Sequence, residues 1–229
     1  MDYSVVAVVA LVILGLLALF FLSGGGGGRK PRAVLFLGPC GGGKTLVFQR
    51  LVDGASSGEA IETVSSMMAS ECDVDVGGGA KGRVVDFPGH HRLRGPLEGE
   101  LARAAGVVFF LDASVATQQA KPGAEILYQV LTSARPPPIL FLCNKSDKVG
   151  AKAPPRVKLV MANELETLRK TSAAISSIGD DGKPPRATLG EPGKAFNFDA
   201  HAPCDVSFLA ISGKNDALDE IRAFVKKAL

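Results

Sequence analysis

A glycine-rich segment between an apolar strand and a helix constrains the fold of this chain more than any other feature. It fits the pattern G-x-x-x-x-G-K-[ST] and consists of Gly38, Pro39, Cys40, Gly41, Gly42, Gly43, Lys44 and Thr45. The apolar run 33–37 precedes it, and residues 46–52 follow with helical apolar spacing. This order predicts a phosphate-binding loop, in which backbone N–H groups at a helix N-terminus cradle anionic oxygens. Lys44 is expected to reach the β- and γ-phosphates, and the Thr45 hydroxyl to hold Mg²⁺.

A second motif follows the apolar pair Val84 and Val85, where Asp86 and Gly89 fit the pattern D-x-x-G. By itself this segment is typical of an ordinary turn, because Pro and Gly occur in turns of many kinds. Its position after a phosphate loop favours a functional interpretation. The Asp86 carboxylate is then expected to contact Mg²⁺, and the Gly89 N–H to meet the γ-phosphate.

A third motif indicates which base is bound. The apolar run 139–143 ends in Asn144, Lys145, Ser146 and Asp147, which fit N-K-x-D. The Asp147 carboxylate can accept hydrogen bonds from the N1–H and the exocyclic amine of guanine, donors that adenine does not offer in that arrangement. The Lys145 stem is expected to pack along the base, and Asn144 to tie this loop to the phosphate loop. The motif favours guanine and disfavours a P-loop ATPase or nucleotide kinase.

A weaker fourth motif consists of Ser212, Gly213 and Lys214, which follow the strand-like run 206–211. Taken alone, these residues are more typical of a plain turn. In many GTPases the corresponding residues are S-A-K, whose backbone N–H groups meet guanine O6, and Gly213 would keep that backbone donor.

The N-terminal segment predicts a membrane anchor. Residues 4–22 contain no charged side chain, and as a helix they would be about 28 Å long, close to the hydrocarbon thickness of a bilayer. A cleaved signal peptide is disfavoured because no basic region precedes the span, and a buried core helix because the span has no polar face. Arg29, Lys30 and Arg32 follow it, so the positive-inside rule places the large domain in the cytosol.

The remaining pattern predicts an α/β fold. Strands are expected at 33–38, 71–76, 82–87, 107–112, 139–143 and 206–211, and helices at 44–53, 93–105, 123–132, 155–169 and 217–228. Such alternation predicts a mainly parallel six-stranded sheet with helices on both faces and ligand loops at the carboxyl ends of its strands. The expected organisation is a short lumenal N-terminus at 1–3, the transmembrane helix at 4–22, a Gly-rich basic linker at 23–32 and a GTPase domain at 33–229.

Composition adds two constraints and leaves one segment unexplained. The net charge of +3 is spread along the chain, so no direct nucleic-acid binding is predicted. The four cysteines have no metal-ligand spacing, as expected for thiols in a reducing compartment. Residues 171–203 are rich in Ser, Gly and Pro, and we expect most of this segment to be a partly disordered surface insertion.

These motifs resemble those of the small Ras-like and Arf-like GTPases, and more narrowly the β subunits of the signal recognition particle receptor. The narrower resemblance depends on the N-terminal span, on residues 38–40, on Asp86–His90 with Leu93 and Arg94, and on the segments 127–131 and 193–198. It covers essentially the whole chain. It implies GTP and Mg²⁺ as cofactors and a single-pass location in the endoplasmic reticulum membrane. It also implies a heterodimer with the receptor α subunit and, through it, indirect contact with ribosomes and the signal recognition particle.

The resemblance also identifies the residues that would control turnover. His90 stands where Ras-like enzymes have a water-orienting Gln, although His91 beside it leaves open which ring faces the phosphate. Cys40 replaces a glycine and would crowd the γ-phosphate, so slow intrinsic hydrolysis is expected. Thr63 is the expected switch threonine on Mg²⁺, with Ser65 as the alternative.

Two functional interpretations remain open at this point. One is a GTPase switch, including an Arf-like protein of vesicle trafficking. The other is a docking scaffold in which GTP is nearly a structural cofactor, and Cys40 and His90 favour this second interpretation.

Overall fold

The computed structural model describes residues 32–53, 69–89, 97–178, 189–191, 193–216 and 218–229. Six strands lie in these ranges: β1 (Ala33–Leu37), β2 (Ser70–Asp75), β3 (Lys81–Asp86), β4 (Ala104–Asp112), β5 (Ile139–Asn144) and β6 (Val206–Ala210). The helices are α1 (Lys44–Asp53), α2 (Leu97–Leu101), α3 (Ala116–Leu131), α4 (Pro154–Ile178), α5 (Phe198–His201) and α6 (Asp219–Ala228). A 3₁₀ turn at Ala113–Val115 leads into α3.

The strands form one six-stranded sheet in the order β2-β3-β1-β4-β5-β6. The β2–β3 pair is antiparallel, and every other neighbouring pair is parallel. The predicted mainly parallel six-stranded sheet is therefore confirmed. Because β1, β3, β4, β5 and β6 run in the same direction, the residues that follow them meet at one edge of the sheet.

The core consists of two layers, one on each face of the sheet. In β1, Ala33, Leu35 and Leu37 belong to one buried cluster, whereas Val34 and Phe36 belong to the other. The same alternation continues through β4 and β5, since successive side chains of a strand point to opposite faces. Helices α2, α3 and α4 cover the first face, and α1 and α6 cover the second. Both faces are buried, which explains why these strands read as continuous apolar runs.

Helices α2 and α3 differ from the prediction in their bounds. Of the helix expected at 93–105, the described residues form only Leu97–Leu101, and β4 begins at Ala104. Ala104 and Ala105 both favour a helix, but the pairing of Ala104 and Gly106 with β1 outweighs that preference. Helix α3 begins at Ala116, seven residues before the expected start at Gly123, although Pro122 lies inside it. Ala116 and Ala120 are buried, so core packing stabilises the early turns of α3.

The segment 171–203 is only partly the surface insertion that we expected. Helix α4 continues to Ile178, beyond the expected end at Arg169. Leu189, Phe196 and Phe198 are buried in the first core layer. The rings of Phe198 and Phe208 meet edge to face at a centroid distance of 5.1 Å, which attaches this segment to β6. Residues 179–188 and 192 lie outside the described residues.

Candidate guanine nucleotide site

The loop after β1 has the backbone of an anion-binding nest. Gly38, Gly41 and Gly43 have φ angles of +138°, +76° and +91°, a region that L side chains rarely adopt. A β-carbon at Gly38 would overlap the carbonyl oxygen of Phe110, and one at Gly43 would overlap the side-chain amide of Asn144. The loop closes tightly on β4 and β5, and glycine is required at both positions for its conformation and for space.

Lys44 lies at the centre of this loop and is 7% exposed. Its Nζ donates hydrogen bonds to the carbonyl oxygens of Gly38 and Pro39, both at 2.9 Å. The ammonium group is thus held over the loop. Its charge can meet a phosphate there without a change in the Lys44 side-chain rotamer. The phosphate-reaching role of Lys44 stays a prediction.

The two described residues that were predicted to bind Mg²⁺ are in direct contact. The Thr45 hydroxyl donates a hydrogen bond to Oδ2 of Asp86 at 2.7 Å. Asp86 ends β3 beside Phe36 of β1 and is 1% exposed. A hydroxyl and a carboxylate are hard oxygen ligands of the kind that Mg²⁺ prefers together with phosphate oxygens. The donor set therefore fits a magnesium ion.

Gly89 brings the D-x-x-G segment against the phosphate loop. A β-carbon at Gly89 would lie 2.8 Å from each of three atoms: the Cys40 nitrogen, the Gly38 oxygen and Nζ of Lys44. The Phe87 N–H also donates to the Phe36 carbonyl oxygen at 3.1 Å, so β3 and β1 enter the site together. The neighbouring candidates His90, His91, Thr63 and Ser65 lie outside the described residues.

Asn144 connects three parts of the site. Its Nδ2 donates to the Gly42 oxygen at 2.7 Å, while its Oδ1 accepts from the Gly213 N–H at 2.8 Å and from the Lys145 N–H. The predicted tie between the N-K-x-D loop and the phosphate loop is therefore present. The Gly213 N–H, expected to face guanine O6, is bonded to Asn144 in this structure.

Lys145 has an unusual backbone conformation and a charge partner that the sequence patterns did not indicate. Its φ is +59°, and it is the single non-glycine residue with positive φ among those described. Its Nζ pairs with Oδ2 of Asp112 at 2.7 Å. Burial raises the pKa of the Asp112 carboxyl, but hydrogen bonds from Lys145 and Ser114 outweigh burial and leave that pKa below its usual range. Asp112 ends β4 next to Asn144 of β5. A carboxylate at the end of an apolar strand could have marked Asp112 as a site residue in the sequence.

Gln119 links Asp112 to the phosphate loop from the other side. Its Oε1 accepts from the Asp112 N–H at 3.0 Å, and its Nε2 donates to the Cys40 carbonyl oxygen at 3.1 Å. No local sequence pattern marks Gln119 as part of the site, because Cys40 lies 79 residues away along the chain. The Cys40 carbonyl is therefore fixed from α3, while the Cys40 side chain is exposed.

The turn after β6 completes the site. Ser212 is 3% exposed, and its N–H donates to Oδ2 of Asp216 at 2.6 Å. Asp147 and Lys214 are exposed at the same edge of the sheet, where side chains remain available to a ligand. The structure thus brings together the four predicted motifs, except for the residues that it does not describe.

This fold and this arrangement of loops define a P-loop GTPase of the Ras and Arf type. Residues 29–203 match the sequence profile of the family described as signal recognition particle receptor beta subunit. The mouse receptor subunit beta is 37% identical over 190 residues, which are 80% of this chain and 69% of that protein. The chain therefore belongs to the family of signal recognition particle receptor β subunits.

Solved structures agree with this assignment. A structure described as that of the mammalian signal recognition particle receptor matches with a TM-score of 0.71 at 33% identity, over 86% of this chain and 100% of that one. An SRb-GTP/SRX complex from Chaetomium thermophilum has the same fold, with a TM-score of 0.65 at 22% identity over 86% and 98% of the two chains. Within the described ranges, no helix has the length and apolar character needed to cross a membrane, and the predicted span at 4–22 falls outside them.

Proposed function

We propose that this chain is the membrane-anchored, GTP-binding subunit of a signal recognition particle receptor. The observation that carries the proposal is the pair of hydrogen bonds in which Asn144 donates to the Gly42 carbonyl oxygen and accepts from the Gly213 N–H. These bonds join a phosphate loop to a guanine-reading loop at one edge of the sheet. Family membership favours this function over an Arf-like role in vesicle trafficking.

Each part of the site has a proposed role. The phosphates lie against residues 38–45 and Gly89, and the base lies between Lys145, Asp147 and the turn of Ser212, Gly213 and Lys214. Thr45, Asp86 and Thr63 hold Mg²⁺, which neutralises phosphate charge when it is bound. His90 orients the attacking water, and Cys40 next to the γ-phosphate position keeps intrinsic hydrolysis slow.

Family membership supports the membrane anchor and the partner that we propose. Residues 4–22 span the endoplasmic reticulum membrane, residues 23–32 form a Gly-rich basic linker, and the GTPase domain lies in the cytosol. In its GTP state, the surface around Thr63 and residues 86–94 binds the receptor α subunit. The heterodimer then serves cotranslational targeting, with GTP acting chiefly to hold the docking surface in one state.

A base-specificity switch tests this proposal. Asp147→Asn replaces two carboxylate acceptors by an amide, which can donate to the O2 of xanthine but cannot accept both guanine donors. We expect the full-length chain in detergent to prefer GTP over ATP and XTP, and D147N to prefer XTP. Asp205→Asn, which neutralises an exposed carboxylate before β6, is the control and should retain the preference for GTP. Equal affinity of the wild-type chain for GTP and ATP would refute the proposal.

A further inference from the structure

Arg50, in the last turn of α1, contacts the turn that follows β6. Its Nη1 donates to the Gly213 carbonyl oxygen at 2.6 Å and to the Asp216 carbonyl oxygen at 3.1 Å. These partners are 163 and 166 residues away along the chain. The same helix begins with Lys44 and Thr45, so one rigid element carries both the phosphate contacts and the contact with the base-reading turn.

Side chains from two different elements hold the turn. Asn144 accepts the Gly213 N–H on the side of the phosphate loop, and Arg50 donates to the Gly213 carbonyl on the side of α1. Within the turn, the Ser212 carbonyl oxygen accepts from the N–H groups of Asn215 and Asp216. The N–H and the carbonyl oxygen of Gly213 are therefore each bonded to a side chain from another element.

Close packing reinforces the contact. A β-carbon at Gly213 would lie 2.6 Å from Cγ2 of Val47, so α1 and the turn touch with no room for a larger residue. Hydrogen bonds donated by a guanidinium are stronger than those between neutral groups. A displacement of the turn would break both of the Arg50 bonds and would separate Val47 from Gly213.

We infer that Arg50 is a positioning residue for guanine recognition, an inference that rests on the proposed function. Arg50 acts through the backbone of the turn and holds the Lys214 N–H where it can meet O6 of the base, while the Gly213 N–H stays bonded to Asn144. By linking this turn to α1, it sets the distance between the base-reading turn and the phosphate loop. Loss of the Arg50 guanidinium weakens recognition of atom 6 of the purine more than it weakens binding of the phosphates.

The test compares GDP with 6-thio-GDP, which differs only at atom 6 of the base, on the full-length chain in detergent. Arg50→Met keeps the apolar stem but removes the donors, Arg50→Gln keeps a shorter neutral donor, and Arg50→Lys keeps a charged donor. Arg83→Met is the matched control, because the Arg83 guanidinium bonds the exposed carboxylates of Glu71 and Asp73 on β2. Dissociation constants for GDP, 6-thio-GDP and ADP are measured for each variant, together with the melting temperature.

We expect R50M and R50Q to bind GDP about tenfold more weakly, and to lose most of the wild-type preference for GDP over 6-thio-GDP. R50K should restore most of that preference, and R83M should match the wild type. A guanine-selective wild type with an unchanged preference in R50M would overturn the inference alone. If R50M fails to fold, R50Q decides in the same way. A wild type that binds GDP and ADP equally would overturn the proposed function and the inference together.

Discussion

Asn144 donates its side-chain amide to the carbonyl oxygen of Gly42 at 2.7 Å, and this hydrogen bond joins residues 102 positions apart. Asn144 is 1% exposed, so neither partner can exchange this bond for one with water. The phosphate loop and the N-K-x-D loop therefore form one unit. A nucleotide that binds here meets loops whose spacing is already set, which lowers the entropic cost of binding.

Asn144→Ala should weaken both the fold and the nucleotide site. The change leaves the Gly42 carbonyl and the Gly213 N–H buried without this partner, and we expect a loss of about 2–3 kcal/mol in the free energy of unfolding. GDP should dissociate at least tenfold faster, as measured with a fluorescent GDP analogue. Asn163→Ala on α4 is the control, because the Asn163 side chain is exposed. An unchanged dissociation rate in N144A would show that the two loops act independently.

The Asp112–Lys145 pair should give the fold a measurable pH dependence. Because the pKa of Asp112 is lower in the folded state than the value of about 3.9 in an unfolded chain, ionised Asp112 stabilises the fold above that value. This contribution is lost as the pH falls through the folded pKa. Denaturation of the wild type and Asp112→Asn should show the largest difference in unfolding free energy near pH 7. A difference that stays constant from pH 7 to pH 3 would contradict this assignment.

Gly89→Ala should disturb the phosphate loop directly. The new methyl group would lie 2.8 Å from backbone atoms of Gly38 and Cys40, which cannot rotate away. We expect a loss of about 1–3 kcal/mol in unfolding free energy and at least tenfold weaker GTP binding in a nucleotide titration. Gly99→Ala in α2 is the control, since a β-carbon there meets no atom within 4 Å, and it should be neutral or stabilising by up to about 1 kcal/mol. Normal GTP affinity in G89A would refute the predicted contact with the γ-phosphate region.

Phe196→Ala should show that the late segment is part of the core. Phe196 is 5% exposed and lies 5.2 Å from Phe198 between ring centroids, while its N–H donates to Oε2 of Glu166. Truncation should lower the unfolding free energy by about 3–5 kcal/mol. Leu159→Ala on the exposed surface of α4 should change it by no more than about 0.5 kcal/mol. A loss in F196A as small as that in L159A would restore the interpretation of this segment as a surface insertion.

The sequence allowed prediction of the sheet and of the four site motifs because both leave local patterns. Continuous apolar runs marked the strands buried on both faces, and glycine, lysine and carboxylate residues followed them at fixed spacings. Helix α1 was predicted with the bounds that the structure has, since it begins at the lysine of the phosphate loop. Parallel strands then brought the motifs to one edge without further assumptions.

The remaining features depend on contacts between distant residues. Arg50 and Gln119 reach backbone carbonyls 163 and 79 residues away, and no spacing along the chain marks such partners. The start of β4 at Ala104 depends on pairing with β1, which overrides the helical preference of alanine. Phe196 and Phe198 lie among Gly and Pro residues that suggested a loop, but the Phe198 ring packs against Phe208 of β6 and the Phe196 ring packs against Phe198.

The most direct test of the proposed function is nucleotide-dependent binding of the receptor α subunit. The full-length chain in detergent is loaded with GTP, with GDP or with no nucleotide, and its affinity for the N-terminal domain of the α subunit is measured by calorimetry. D147N loaded with XTP serves as the matched control. We expect tight binding in the GTP state, binding at least tenfold weaker in the GDP state, and rescue of D147N by XTP. Equal affinity in all three states would contradict a GTP-dependent receptor subunit.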